Sequence, residues 1–191
     1  VDCIVGIQRH MVTVHGRADH AGTTPMDMRI DAVEAAAKVI SKIPDWAREK
    51  ADGTVATIGY INTVPGGVNI VPEKCEFTVD IRSKNNDNIN DISKRMEAAL
   101  EREVKAIGGS FEIKNTLTIT SVDLSKDMLK IMEESCKDHQ YSYKYLPSGA
   151  GHDALEIGQV IPTAMIFVPS EGGRSHCPVE FTKYSDFAKA A

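Results

Sequence analysis

Apolar and polar residues alternate from Ile7 to Arg17 in a stretch rich in Val, Thr and His, and this alternation predicts a strand. A Gly/Thr/Pro-rich loop follows over 18–26. Val33, Ala36, Ala37, Ile40 and Ile43 then recur at helical spacing, which predicts a helix over 31–43 with Pro44 as its stop and a further turn to about Lys50. Residues 54–62 read as a second strand, and Pro65-Gly66-Gly67 as a turn. Cys75, Phe77, Val79 and Ile81 share one face of a third strand, with Glu76, Thr78, Asp80 and Arg82 on the other. Asn85 to Asn88 is a helix-start cluster. Ile89, Ile92, Met96, Leu100, Val104 and Ile107 form the stripe behind it, and Gly108-Gly109 is the stop. Residues 110–119 read as a fourth strand.

The order β-α-β-β-α-β is the split βαβ pattern: a four-stranded antiparallel sheet with two helices on one face, expected over residues 7–120. Residues 1–6 and 121–191 are assigned to a separate, partial α/β segment. Here the pattern predicts a helix over 125–138, a short strand over 141–146, and a loop at 148–153 leading into a short helix. It then predicts a buried strand over 160–168, a Gly/Ser/Pro/His-dense loop over 169–180 and a last helix from near Ser185. Two strands cannot make a stable sheet alone, so these are expected to need partner strands.

Composition narrows the function classes. The formal net charge is −5, which disfavours nucleic acid as a partner. No apolar stretch approaches the roughly 20 residues needed to span a bilayer. The opening Val1-Asp2-Cys3 carries no basic segment or apolar run, so no secretory leader is expected, and Cys3, Cys75, Cys136 and Cys177 are scattered without a CxxC pair. A reducing, cytoplasmic setting is therefore expected, and zinc-finger chemistry is not.

The candidate chemistry lies in loops and on one strand. His176, between Ser175 and Cys177-Pro178, is read either as a metal ligand with Glu180 orienting it or its loop, or as a loop histidine bonded to the backbone. His152, beside Asp153, is read either as a substrate contact or as a helix cap. His20, in a Gly/Thr loop, could donate to an oxyanion or a carboxylate. Arg82 stands on the polar face of an otherwise apolar strand. It suits bidentate carboxylate binding, with a salt bridge to Asp80 or Glu76 as the alternative. Asn69 follows two glycines and reads equally as turn chemistry. His10, His15 and His139 carry no assignment.

Taken together, the ordered series Gly6-Ile7-Gln8-Arg9, Gly16 to Met26 with Asp19-His20-Ala21-Gly22-Thr23-Thr24-Pro25, Pro65 to Pro72, Asp80-Ile81-Arg82, Pro147 to Ala154 and Ser175-His176-x-Pro-x-Glu180 resembles the hydantoinase/carbamoylase amidases of the M20 metallopeptidase-like group. The resemblance implies an α/β catalytic domain holding two divalent metal ions (zinc, manganese or cobalt), with a split βαβ lid inserted that also forms a homodimer. It implies His176 as a metal ligand. It implies His20, Asn69 and Arg82 as lid residues holding the substrate, with Arg82 on its carboxylate, and with His20 and Asn69 helping to bind it or polarising the scissile carbonyl. His152 and Ser175 are implied as residues lining the same cleft, and lid residues can reach the partner's site.

The implied reaction is hydrolysis of the ureido C–N bond of N-carbamoyl-L-amino acids. Allantoate hydrolysis and M20 dipeptidase activity are alternatives, and a non-enzymatic dimerisation or ligand-binding module is the rival from another class. The family's other metal ligands and catalytic glutamate have no counterpart in these residues, so this chain alone is expected to be inert.

Overall fold

The computed structural model describes all residues, Val1–Ala191. They form two compact units, Val5–Ser121 and Val1–Ile4 with Val122–Ala191. The strands in chain order are β1 (Cys3–Ile4), β2 (Gly6–His15), β3 (Asp19–His20), β4 (Val55–Thr57), β5 (Ile61–Val64), β6 (Ile70–Val71), β7 (Lys74–Ser83), β8 (Ser110–Ile119) and β9 (Val122–Asp123). The helices are α1 (Ala32–Ile40), α2 (Ile43–Arg48), α3 (Asn86–Ala106), α4 (Lys126–Asp138), α5 (Asp153–Ile157) and α6 (Tyr184–Ala190). No helix is long and apolar enough to cross a membrane.

In the first unit β2 and β7 are the inner strands of an antiparallel sheet. Their ladder runs from Gly6 opposite Ser83 to His15 opposite Lys74. β8 covers the other side of β2, while β4 and β5 together form the edge beyond β7. The expected four-position sheet, with helices on one face, is the one found. On β7 the alternation is complete: Cys75, Phe77, Val79 and Ile81 are fully buried, and the residues between them are half-exposed. They pack against Ala32, Ala35, Ala36 and Val39 of α1 and Ile92, Met96 and Leu100 of α3. Burying a side chain such as Phe77 contributes about 1.5–3 kcal/mol, and this shared apolar layer fixes the register, since a one-residue slip would expose it.

Side chains set the helix ends. Asp31 Oδ1 accepts from the backbone N–H groups of Val33 and Glu34 at 2.9 and 3.0 Å, and Asn85 accepts from that of Asp87. Gly108 ends α3 at φ 75°, which a residue with a Cβ adopts only at a cost.

Two expectations in this unit need correction. Pro44 does not merely stop a helix: it sits in the first turn of α2, where its missing N–H is harmless, so one predicted helix becomes two. Residues 54–62 are not one continuous strand. Thr57 faces Asp80 and Ile61 faces Phe77, so Ile58, Gly59 and Tyr60 stand opposite only Thr78 and Val79, and the extra residue breaks the edge into β4 and β5. A similar irregularity lies on β8, where Arg9 faces Leu117 but His10 faces Asn115, leaving Thr116 unpaired.

In the second unit β1 pairs antiparallel with β9, and Ile4 forms a parallel bridge to Ser148. α4, α5 and the last helix occur where expected. The strands expected at 141–146 and 160–168 do not form ladders, and 160–168 is not buried: Val160, Ile161, Ile166 and Phe167 are exposed. A strand needs a neighbour with free N–H and C=O groups, and the two-residue β1 offers little: one edge pairs with β9 and the other is taken by the bridge to Ser148. What remains are single bonds, Asp2 N–H to Leu146 O, Ser125 N–H to Thr163 O and the Val1 amino group to Met165 O.

Candidate functional site

His20 and Asn69 are brought together by a short ribbon that continues the β2–β7 ladder past the end of the sheet. The Gly16 N–H donates to Glu73 O, Asp19 faces Val71, His20 faces Ile70, and the Ala21 N–H donates to Asn69 O at 3.0 Å. Both side chains are exposed. The His20 ring is oriented from behind: the Gly22 N–H donates to Nδ1 at 3.0 Å. That bond needs a lone pair on Nδ1, so the neutral imidazole carries its proton on Nε2 and presents an N–H donor outward. Arg29 closes the loop beneath by donating to the carbonyls of Ala21 and Thr24.

Arg82 is elsewhere in the same unit. It faces Ile7 on β2, whereas His15, opposite Lys74, marks the end from which the His20 ribbon departs. Eight residues at about 3.3 Å each separate Arg82 from Lys74, or about 26 Å along β7. A single copy therefore places the Arg82 guanidinium and the His20–Asn69 pair at opposite ends of the sheet and does not gather all three around one small molecule.

Arg82 lies on the face without helices and binds Asp80, Nε to Oδ1 at 2.7 Å and Nη2 to Oδ2 at 3.3 Å. The salt-bridge alternative from the sequence is thus realised. Asp80 Oδ2 also accepts from Arg9 Nε at 2.6 Å. Burial alone would push the Asp80 carboxyl up, but the hydrogen bonds from Arg82 and Arg9 outweigh it and hold the group below the usual carboxylate range. The same pairing raises the Arg82 guanidinium further above its ordinary value. Sequence reasoning missed Arg9 because a pattern cannot show which strand lies opposite Asp80.

In the second unit, His152 occupies the N-cap position of α5 but its side chain does not cap the helix. Instead Nε2 lies 2.8 Å from the buried Ser148 Oγ, and the ring meets Phe167 edge-on. Ser148 Oγ already donates to the Ala150 carbonyl, so the imidazole is the donor in the His152–Ser148 bond. Ser175 and His176 are exposed. His176 has a left-handed backbone, φ 56°, and its N–H donates to Glu180 Oε2 at 2.9 Å, so Glu180 shapes the loop through the main chain. On α4, Glu133 accepts from Lys137, Tyr143 and Tyr145, which lower its carboxyl to about 2.

A protein metal centre takes three or more ligands. No group of three His, Cys, Asp or Glu side chains in these residues could hold an ion. His176 alone does not meet the requirement of a two-metal site.

The family model for a peptidase dimerisation domain of the M20 type matches residues 5–107. The chain is 38% identical to an N-carbamoyl-L-amino-acid amidohydrolase of Paenarthrobacter aurescens over 189 residues, covering 99% of this chain and 46% of that protein. It is 34% identical to the allantoate amidohydrolase of Escherichia coli (strain K12), with the same coverage. Among solved structures it superposes with TM-score 0.91 at 28% identity on an amidase of the hydantoinase/carbamoylase family from Burkholderia multivorans, covering 98% of this chain and 46% of that one. The chain spans about half the length of the relatives it matches. With its dimerisation domain and these relatives, the chain belongs to the hydantoinase/carbamoylase amidases of the M20 family.

Proposed function

We propose that the protein to which this chain belongs hydrolyses the ureido C–N bond of N-carbamoyl-L-amino acids, as a cytoplasmic homodimer, and that these residues supply its dimerisation lid and part of its catalytic domain. The observation that carries the substrate class is the 38% identity, over nearly the whole chain, to an N-carbamoyl-L-amino-acid amidohydrolase.

The geometry supports a division of labour. Arg82, held by Asp80 on a rigid strand, binds the substrate carboxylate. His20 directs its Nε2–H at the ureido carbonyl oxygen as negative charge develops there, with Asn69 beside it. An amino-acid-sized substrate is much shorter than the stretch of β7 separating these groups, so each site takes Arg82 from one copy and His20 with Asn69 from the other. His152 and Ser175 serve as substrate contacts. His176 is proposed as one ligand of a divalent metal centre of zinc, manganese or cobalt, the remaining ligands coming from outside these residues. Such a centre supplies a water whose pKa is lowered toward neutrality. The products are the amino acid, carbon dioxide and ammonia.

The test is an assay of the intact protein with divalent metal on N-carbamoyl-L-amino acids, allantoate and dipeptides. Preferential turnover of the first is expected. Preference for allantoate would favour the reading suggested by the 34% identical relative, and turnover of none would favour a binding module.

A further inference from the structure

The end of the sheet around Arg82 carries more positive charge than its salt bridges consume. On the face without helices, two rows of side chains cross the four strand positions. One row is Thr57, Asp80, Arg9 and Leu117; the next is Val55, Arg82, Ile7 and Ile119. Three adjacent members are charged. Asp80 takes the Arg82 guanidinium side-on with both oxygens and takes Arg9 by Nε alone. Two guanidinium groups thus share one carboxylate, and the cluster keeps a net charge of about +1.

Arg9 holds the uncommitted part of that charge. Its only side-chain hydrogen bond is the one from Nε, so both Nη groups, the fork that matches a carboxylate, are unused in this structure. Its side chain is 46% exposed, against 29% for Arg82 and 25% for Asp80. The bond to Asp80 holds the guanidinium at the end of a long side chain, which reduces the entropy lost when a ligand is gripped. The surroundings are apolar: Ile7 is 5% exposed, and Leu117 and Ile119 are half-buried. A guanidinium beside such a shelf is less well hydrated and binds an anion more strongly than one in open water.

We infer that Arg9 is a second carboxylate-binding residue beside Arg82, that Asp80 is the positioning residue holding both, and that the cluster is built for a ligand bearing a single carboxylate. The inference rests on the reading of Arg82 as the substrate-carboxylate clamp and extends it. The charge count gives the selectivity: one added carboxylate neutralises the cluster, whereas a neutral ligand leaves a guanidinium unmatched and a dianion overshoots.

The experiment measures kcat and KM of the intact, metal-loaded enzyme for an N-carbamoyl amino acid and for its carboxamide, with wild type, Arg9→Gln, Arg9→Lys and Arg82→Gln. Thermal melting of each variant confirms folding. Arg9→Gln is expected to raise KM for the carboxylate substrate roughly ten- to hundredfold, the range of a charge-assisted hydrogen bond, with kcat and the carboxamide kinetics little changed. Arg9→Lys is expected to recover part of the loss. If Arg9→Gln leaves the carboxylate-to-carboxamide preference intact while Arg82→Gln abolishes it, the clamp stands and the role of Arg9 is refuted. An equal loss on both substrates would make Arg9 structural and also refute it. If neither variant alters the preference, the reading of Arg82 itself fails, and the inference fails with it.

Discussion

The backbone N–H of Gly22 donates to Nδ1 of His20 at 3.0 Å, and this one bond decides which face of the imidazole can act. A ring whose Nδ1 is an acceptor bears its proton on Nε2, so His20 is preset as a donor. A ¹⁵N correlation spectrum of the neutral ring is expected to show the Nε2–H tautomer. The Nδ1–H form would remove the oxyanion role. In the intact enzyme, replacing His20 by Ala is expected to lower kcat by about 10²–10³, the cost of losing one preorganised oxyanion donor.

The distance of about 26 Å along β7 between the Arg82 end and the His20 end makes a mixing experiment decisive. Dimers of the intact enzyme carrying only His20→Ala, or only Arg82→Ala, are expected to be nearly inactive. Unfolding and refolding the two together forms hybrids in about half of the dimers, and each hybrid has one site with both native groups, so about a quarter of wild-type activity should return. No recovery in the mixture would show that both groups act within one copy.

Asp80 supplies a pH prediction. Its folded-state carboxyl lies below the ordinary value because the Arg82 and Arg9 bonds outweigh its burial. A group depressed in this way contributes stability above its unfolded pKa, about 3.9, and loses it as the pH falls through the lower folded value. Arg9→Gln removes one of the two partners, so the Asp80 titration, followed by carboxyl ¹³C shifts, is expected to move upward. No movement would mean that the Arg9 bond is not populated in solution.

A fourth prediction concerns folding alone. Asp31 satisfies two N–H groups at the start of α1, and α1 shares one buried core with Cys75 and Phe77 of β7. Asp31→Ala is expected to cost about 1 kcal/mol, measured by urea denaturation. Phe77→Ala, which empties a fully buried position, is expected to cost about 3–5 kcal/mol.

Much of the lid fold is legible in the chain itself, because period-two alternation on β7 and period-3.6 stripes on α3 are enforced by the same buried layer. Failures occur where structure depends on what lies opposite. The break between β4 and β5 follows from pairing with β7, which no local pattern encodes. The segments at 141–146 and 160–168 have strand-like sequences, but a ladder needs a second chain segment as well as the right residues. The candidate residues are visible as types, the histidines and Asn69 in Gly- and Pro-bounded loops and Arg82 on the polar face of a strand. The far separation of Arg82 from His20, and the presence of Arg9 opposite Asp80, are properties of register, and register is set by distant contacts.

The ribbon at the end of the β2–β7 ladder has a mechanical meaning. Gly16 is tied to Glu73, and Ala21 to Asn69, so the two loops cannot swing independently without breaking main-chain bonds. His20 and Asn69 must travel as the tip of one lever. Whatever draws the lever in delivers both polar groups at once, and a molecule too short to touch both gains little from moving it.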